Sequence, residues 1–256
     1  MTTSGTKTGH YYEKQLNCKS SVIAWSHGAR FRAAQRLIGT GPVERLLDYG
    51  CGDGTFLAMV ADRVGTAVGA DVAADQLRDC AGRFADHPNL RFAHVRDLAA
   101  PEHTGAYDVV TCMETLEHCP APVIEVVLTD LGRLCRPGGR VVISVPIETG
   151  PPFLLKYAVR TAAAWRGLSD YKYYETYTPL NALKMLTAGK GTTLPRPVYG
   201  PPGAESLSHY GFNWRALRER VRHHLTLDAT HFSPLGWLGG LASSQAWFVC
   251  RPKGAA

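Results

Sequence analysis

The chain has 256 residues, 45% hydrophobic and 20% charged, with a formal net charge of +6. These proportions suit one globular unit with a sizeable core and exclude a mainly disordered, collagenous or coiled-coil chain. The basic surplus is scattered rather than gathered in a block, so it permits an anionic partner without requiring one.

Residues 1–9 are polar and expected to fray. Residues 11–38 read as helix in one or two pieces, with Trp25 and Phe31 as apolar contacts, stopped by Gly39 and Gly41-Pro42. An alternation follows: strand 43–49, helix 55–63, strand 67–72, helix 74–84, strand 90–95, strand 108–113 and helix 121–134. The turn Arg136-Pro137-Gly138-Gly139 then leads into strand 140–146. Strands alternating with helices at this spacing predict βαβ units on a parallel sheet. The rhythm breaks after Pro146. Residues 147–208 hold Pro151-Pro152, helical stretches near 153–166 and 179–188, and a Pro/Gly-rich loop at 195–203. They also hold an aromatic cluster of Tyr171, Tyr173, Tyr174 and Tyr177. A helix over 213–221 and closing strands at 225–232 and 246–251 complete the pattern. The expected division is an N-terminal helical cap at 1–42, a core at 43–146, a substrate-cap insertion at 147–208 and completion of the core sheet at 209–256.

The seven cysteines form no CxxC pair, and the first residues carry no apolar signal-peptide segment. The longest uncharged run, 232–250, holds Pro234, three glycines and three serines, which argues against a membrane span. A reduced, cytoplasmic chain without a transmembrane segment is expected.

The most specific motif is LLDYGCGDGTF, residues 46–56, in which an apolar strand runs into Gly50, Gly52 and Gly54 and then a helix. Such glycines let the backbone turn tightly and approach a nucleotide-like ligand. A dinucleotide fingerprint would want a glycine where Thr55 stands, which disfavours an NAD oxidoreductase. Asp48 just before the glycines suits a ligand with an ammonium group rather than a pyrophosphate. Asp71 ends the second strand, where a carboxylate can accept bonds from both ribose hydroxyls. Asp97 follows the third strand, where an acid can meet an adenine amino group. Any one of these features alone would pass for ordinary loop filling; together and in order they do not.

Segment 43–146 resembles the core of the class I S-adenosylmethionine-dependent methyltransferases. The resemblance implies a Rossmann-like α/β fold with a mostly parallel seven-stranded sheet, order 3-2-1-4-5-7-6, whose seventh strand is antiparallel, and a helical substrate cap. It implies that Asp48, Gly50, Gly52 and Gly54 surround the methionine part of the donor, that Asp71 holds the ribose, and that Asp97 with Leu98 flanks adenine. Cys51 lies in the same cofactor-binding turn and is given no chemistry.

Just past the fourth strand stands METLEHC, residues 113–119. Glu114, Glu117 and His118 offer carboxylate and imidazole groups where the methyl donor would face the acceptor, and such a set can bind a divalent cation. The alternative is a solvated helix start. The ubiquinone-biosynthesis O-methyltransferases carry a similar E-x-x-E-H run. The small-RNA 3′-terminal 2′-O-methyltransferases pair such a run with a later histidine and hold Mg²⁺ or Mn²⁺. On that resemblance Glu114, Glu117, His118 and His209 form a candidate metal set, although His209 stands three residues before Phe212 where the RNA enzymes have two. Without a metal, His118 is the natural general base, with Glu117 beside it; both courses stay open here. The arginine-rich helix (Arg215, Arg218, Arg220, Arg222) reads as a solvated face.

The expected activity is methyl transfer from S-adenosylmethionine to a hydroxyl of a small-molecule acceptor such as a metabolite or glycan. RNA-terminal or lipid-linked acceptors are the alternatives among enzymes, with nucleic acid disfavoured. A catalytically silent donor-binding module is the alternative outside them.

Overall fold

The computed structural model describes residues 21–165, 178–200 and 206–254. The tyrosine cluster at 171–177 and the polar N-terminus lie outside the described residues.

In chain order the elements begin with helix α1 (Ser21–Leu37), strand β1 (Val43–Tyr49), helix α2 (Thr55–Val60), β2 (Val64–Asp71), α3 (Ala74–Arg83) and β3 (Leu90–His94). They continue with β4 (Tyr107–Met113), α4 (Ala121–Leu134), β5 (Cys135–Pro146), α5 (Pro151–Trp165) and α6 (Pro179–Leu186). The short strands β6 (Val198–Tyr199) and β7 (Ser206–Leu207) precede α7 (Trp214–His224), β8 (Leu225–Ser233) and β9 (Gln245–Pro252). Seven strands form one sheet in the order β3-β2-β1-β4-β5-β9-β8. With the separate β6–β7 pair left out of the count, this is the expected 3-2-1-4-5-7-6. β1 to β5 pair in parallel, and β9 runs antiparallel to both β5 and β8.

Side-chain alternation along the strands builds two apolar layers. Leu47, Val110, Ile143 and Phe248 face α4 and α7, while Leu46, Val109, Val142 and Trp247 face α1 and α2. Burial on both faces is why the strands read as continuous apolar runs. The described part of α1 belongs to the second layer through Phe31, Ala34 and Ile38. It is thus a core helix, and it also sends Arg30 toward the site.

Several elements differ from the sequence reading, three of them instructively. The helix after the glycines stops at Val60, and 61–63 tighten into a 3₁₀ turn. β5 starts at Cys135 rather than Arg140, with the glycine turn absorbed as a register shift against Tyr107 and Val109. Gly138 at φ 74° makes that detour possible. The β6–β7 pair was not foreseen, because two-residue strands carry no periodicity to detect.

The order of the sheet reverses between β1 and β4, which pair with each other directly. The crevice at the carboxyl ends of those strands is the place where this architecture binds ligands. Both sequence motifs end there.

Candidate active site

The glycine turn leaves β1 with Gly50, Gly52 and Gly54 all at positive φ. It is held against β2, since Gly50 and Cys51 N–H donate to the Ala70 carbonyl at 2.7 and 3.1 Å. Gly50 also meets the second motif. A Cβ at Gly50 would lie 2.8 Å from Thr115 Cγ2 and nearer still to its hydroxyl, so no side chain fits. The candidate donor turn and the Glu-x-x-Glu-His segment are thus in contact.

Asp71 sits beside this turn. Its Oδ2 accepts from Gly52 N–H at 3.0 Å and its Oδ1 from Ala73 N–H at 3.0 Å. Each carboxylate oxygen has a second lone pair, so both can still take a ribose hydroxyl. Asp48 is buried, and the Thr111 hydroxyl donates to its Oδ1 at 2.6 Å. Burial pushes its carboxyl up to about 7. Cys51 is buried, and burial raises its thiol far above the usual range, which leaves it inert. Asp97 is exposed and closes a capping box with His94, accepting His94 N–H at 3.1 Å. Leu98 is fully buried in the core and its carbonyl accepts from Arg133 at 3.0 Å. Its side chain therefore belongs to the packing of the α4 layer.

β4 delivers the second motif. Glu114, at φ 51°, is the only non-glycine with positive φ among the described residues. Left-handed backbone in a non-glycine residue costs free energy and persists where the surroundings enforce it. Here Glu114 N–H donates to the Ser144 carbonyl at 3.0 Å. Its carboxylate takes the Ser144 hydroxyl at 3.3 Å and pairs with buried Arg30 at 3.4 Å. The chain then turns, and 116–118 form a 3₁₀ turn that presents Glu117 and His118.

Glu117 is fully buried, and neither carboxylate oxygen has a hydrogen-bond partner. Burial, reinforced by the charge of Glu114, raises its carboxyl well above the ordinary range. Its Oε1 lies 3.9 Å from both His118 Nε2 and His209 Nε2. The two Nε2 atoms face each other at 3.3 Å. His118 Nδ1 lies 3.0 Å from the Leu207 carbonyl, which can only accept, so Nδ1 carries the hydrogen and Nε2 presents a lone pair. Burial first, then the neighbouring His209, lowers the His118 pKa, which keeps the ring neutral with its Nε2 lone pair unprotonated. Arg196 clamps this region by donating to the Glu117 carbonyl and, at 3.2 Å, to the Ser208 carbonyl.

Of the four residues expected as metal ligands, Glu117, His118 and His209 come together, with one donor atom of each within 4.8 Å of the others. Glu114 is not in that group; its carboxylate is turned to Arg30 and Ser144. The three that converge fit a cation. Two nitrogens each about 2.0–2.1 Å from one ion lie roughly 3.0–3.4 Å apart at ordinary coordination angles, which matches the observed approach. The orphaned Glu117 carboxyl, on losing its proton as a cation binds, would supply the anionic donor that a buried site wants.

His209 reaches the cluster because its loop is held firmly. Asn213 caps α7, accepting Arg215 N–H at 3.1 Å, and its amide donates to the Gly189 and Thr192 carbonyls at 2.8 and 3.0 Å. Gly211 lies at φ 70° beside Leu194 and Pro195, where a Cβ would collide with backbone. Sequence reasoning missed Arg30, Glu148 and Arg196 as neighbours of the site. Only for Glu148 was there a signal, an acid directly after the buried run Val141–Ile147 at a strand's carboxyl end.

Comparison with known proteins agrees with this geometry. Residues 46–139 match the family described as a methyltransferase domain. The ubiquinone biosynthesis O-methyltransferase of Psychrobacter cryohalolentis is 31% identical over 150 residues, 55% of this chain and 56% of that one. The enzyme of the same name from Xanthomonas oryzae pv. oryzae is 38% identical over 137 residues, 50% and 55% of the two chains. The chain thus spans about half the length of the curated relatives it matches. Among solved structures, the PH0226 protein of Pyrococcus horikoshii superposes with a TM-score of 0.62 at 13% identity, covering 96% of this chain and all of that one. Geranyl diphosphate C-methyltransferase of Streptomyces coelicolor gives 0.55 at 14% identity, covering 97% and 85%. At those identities the likeness is one of fold. The chain carries a class I S-adenosylmethionine-dependent methyltransferase domain. Among the described residues no helix is long and apolar enough to cross a membrane.

Proposed function

We propose that this chain transfers a methyl group from S-adenosylmethionine to a hydroxyl of a small-molecule acceptor. The observation that carries the reading is the convergence of Glu117, His118 and His209 at the carboxyl edge, in contact through Thr115 with the glycine turn. The glycine turn and Asp71 hold the donor, and Asp48 lies beneath its methionine end. Asp97 and the backbone at Leu98 border the adenine.

Methyl transfer is an in-line displacement, so most of the acceleration comes from placing the acceptor oxygen about 3–3.5 Å from the methyl carbon. His118 Nε2 takes the hydroxyl proton, and the Leu207 carbonyl stabilises the imidazolium through Nδ1–H. A base so placed contributes about 10²–10⁴-fold. In the alternative course Glu117, His118 and His209 would hold Mn²⁺ or another imidazole-binding cation rather than Mg²⁺, because two of three donors are nitrogen; the His118 Nε2 lone pair is then a ligand and not the base. The chemistry such an ion would supply is the acidification of an acceptor hydroxyl. The described parts of 147–208, among them α5 and α6, then form part of the acceptor's cover.

A second reading, an acceptor with an apolar or lipid tail, draws support from Leu154, Leu155, Leu180 and Leu183. All four stand exposed on α5 and α6. A nucleic-acid acceptor draws none from α7, whose Arg220 and Arg222 are paired with Glu125 and Glu219.

The test is methyl transfer from labelled donor to a panel of catechols, sugars, phenols and amines, with and without Mn²⁺. Turnover confined to hydroxyl acceptors and lost in His118→Ala supports the reading. Transfer to amines alone overturns it. Donor binding with no turnover on any acceptor favours the silent binding module.

A further inference from the structure

Glu148 is buried and follows β5, yet no part of the donor site or of the Glu117–His118–His209 cluster includes it. Its Oε1 lies 3.8 Å from His209 Nδ1 and 2.7 Å from Lys156 Nζ of α5. Lys156 Nζ in turn donates to the Ser244 carbonyl at 3.3 Å, just before β9. A lysine anchored at two points fixes the carboxylate opposite the far side of the His209 ring.

That placement has a consequence for the imidazole. A neutral histidine carries its hydrogen on one nitrogen and a lone pair on the other, and the partner of the first decides which. His118 is settled by the Leu207 carbonyl, which leaves Nε2 bare. His209 faces the bare Nε2 of His118 on one side and the Glu148 carboxylate on the other. Were its hydrogen on Nε2, the lone pair of Nδ1 would point at an anion. With the hydrogen on Nδ1, the N–H faces the Glu148 carboxylate 3.8 Å away, a favourable charge contact rather than a hydrogen bond, and the Nε2 lone pair joins that of His118 and the Glu117 oxygens. A carboxylate behind a ligating histidine is a recurring device for orienting the ring and raising its basicity.

The geometry points to Glu148 as the positioning residue that sets the His209 tautomer, so that both imidazole Nε2 lone pairs are aimed at the point faced by Glu117. Lys156 holds Glu148 in place and ties this arrangement to α5. The inference rests on the reading of Glu117, His118 and His209 as the methyl-transfer site.

Two readouts on the full chain, with S-adenosylhomocysteine present, test it. Long-range proton–nitrogen NMR on histidine-labelled protein reports the tautomer, with His209 assigned by the peaks lost in His209→Gln. Calorimetry with MnCl₂ reports the cluster. The wild type is expected to show the Nδ1–H form of His209. Glu148→Gln is expected to shift it toward Nε2–H and to weaken Mn²⁺ binding roughly 10–100-fold. Lys156→Met removes the anchor but leaves the carboxylate, and is expected to move the tautomer and the Mn²⁺ affinity in the same direction as Glu148→Gln but by less. An Nε2–H form of His209 in the wild type overturns the inference whether or not Mn²⁺ binds. So does Mn²⁺ affinity unchanged in Glu148→Gln. Failure of the methyl-transfer reading is distinct, because it shows as wild-type protein with the Nδ1–H tautomer but no turnover on any acceptor.

Discussion

The two halves of the site are built in opposite ways. The proposed donor half is local: Asp48, the three glycines and Asp71 come from β1, its following turn and the end of β2, all within 24 consecutive positions. The acceptor half is assembled from four distant pieces, with Arg30 on α1, Glu117 and His118 after β4, Glu148 after β5 and His209 before α7. The donor half relies on backbone shape and on hydrogen bonds that are already satisfied. In the acceptor half Glu117 is left buried with neither oxygen bonded. Satisfied polar groups fix a shape, whereas an orphaned buried carboxylate is a cost that a ligand can offset.

This contrast can be broken by substitution. The largest effect is expected at the acceptor half: His118→Ala should lower kcat on the order of 10²–10⁴-fold while leaving donor affinity intact. Calorimetry with S-adenosylhomocysteine beside a turnover assay would separate the two, and a matching loss of donor binding would show that the halves are not independent. Asp71→Ala should act in reverse, weakening donor binding on the order of 100-fold as two charge-assisted bonds go unmade. Unchanged affinity would remove Asp71 from the ribose site. Gly50→Ala should damage both halves at once, because the new methyl group meets Thr115 in a left-handed turn. A stability loss of about 1–3 kcal/mol by denaturant titration is expected.

A smaller effect sharpens the donor half. The carboxyl of Asp48 is raised to about 7 in the folded chain, above the usual carboxylate value in the unfolded one. The folded state therefore binds this proton more tightly. Its contribution to stability is full below pH about 4 and is lost as pH rises toward 7. Asp48→Asn should flatten that slope in thermal melts recorded between pH 4 and 8; an unaltered slope would place the titration elsewhere. The smallest effect is expected on α7, where Arg220→Ala and Arg222→Ala should leave KM within about twofold, as paired surface charges do. A KM that climbs steeply with salt in the wild type and less in these variants would instead argue for a polyanionic acceptor.

The same contrast explains what could be read in advance. The strand–turn–helix at 46–56 and the acids near the ends of β1 and β2 were legible because their determinants are neighbours in sequence, whereas the sheet order came only with the resemblance to a known family. Glycine spacing, apolar runs and the acid that ends a strand all lie within one βα unit. Glu117 and His118 were legible as a motif for the same reason. His209 was reached only through resemblance to a motif whose spacing it does not match, and Glu148 was not reached at all. The expectation that Glu114 would join the other three failed to account for Arg30, which lies 84 positions earlier and turns that carboxylate away.

By itself the sequence determined the α/β alternation, the glycine turn after β1 and the Glu-x-x-Glu-His run after β4, since local backbone preference and side-chain periodicity act over a few residues. Only the tertiary structure decided which of those groups converge, which are buried without partners, and which ring nitrogen of His118 carries the hydrogen. Those properties depend on the Leu207 carbonyl, Arg196, Glu148 and Arg30, whose positions are set by packing on the two faces of the sheet and not by any pattern along the chain.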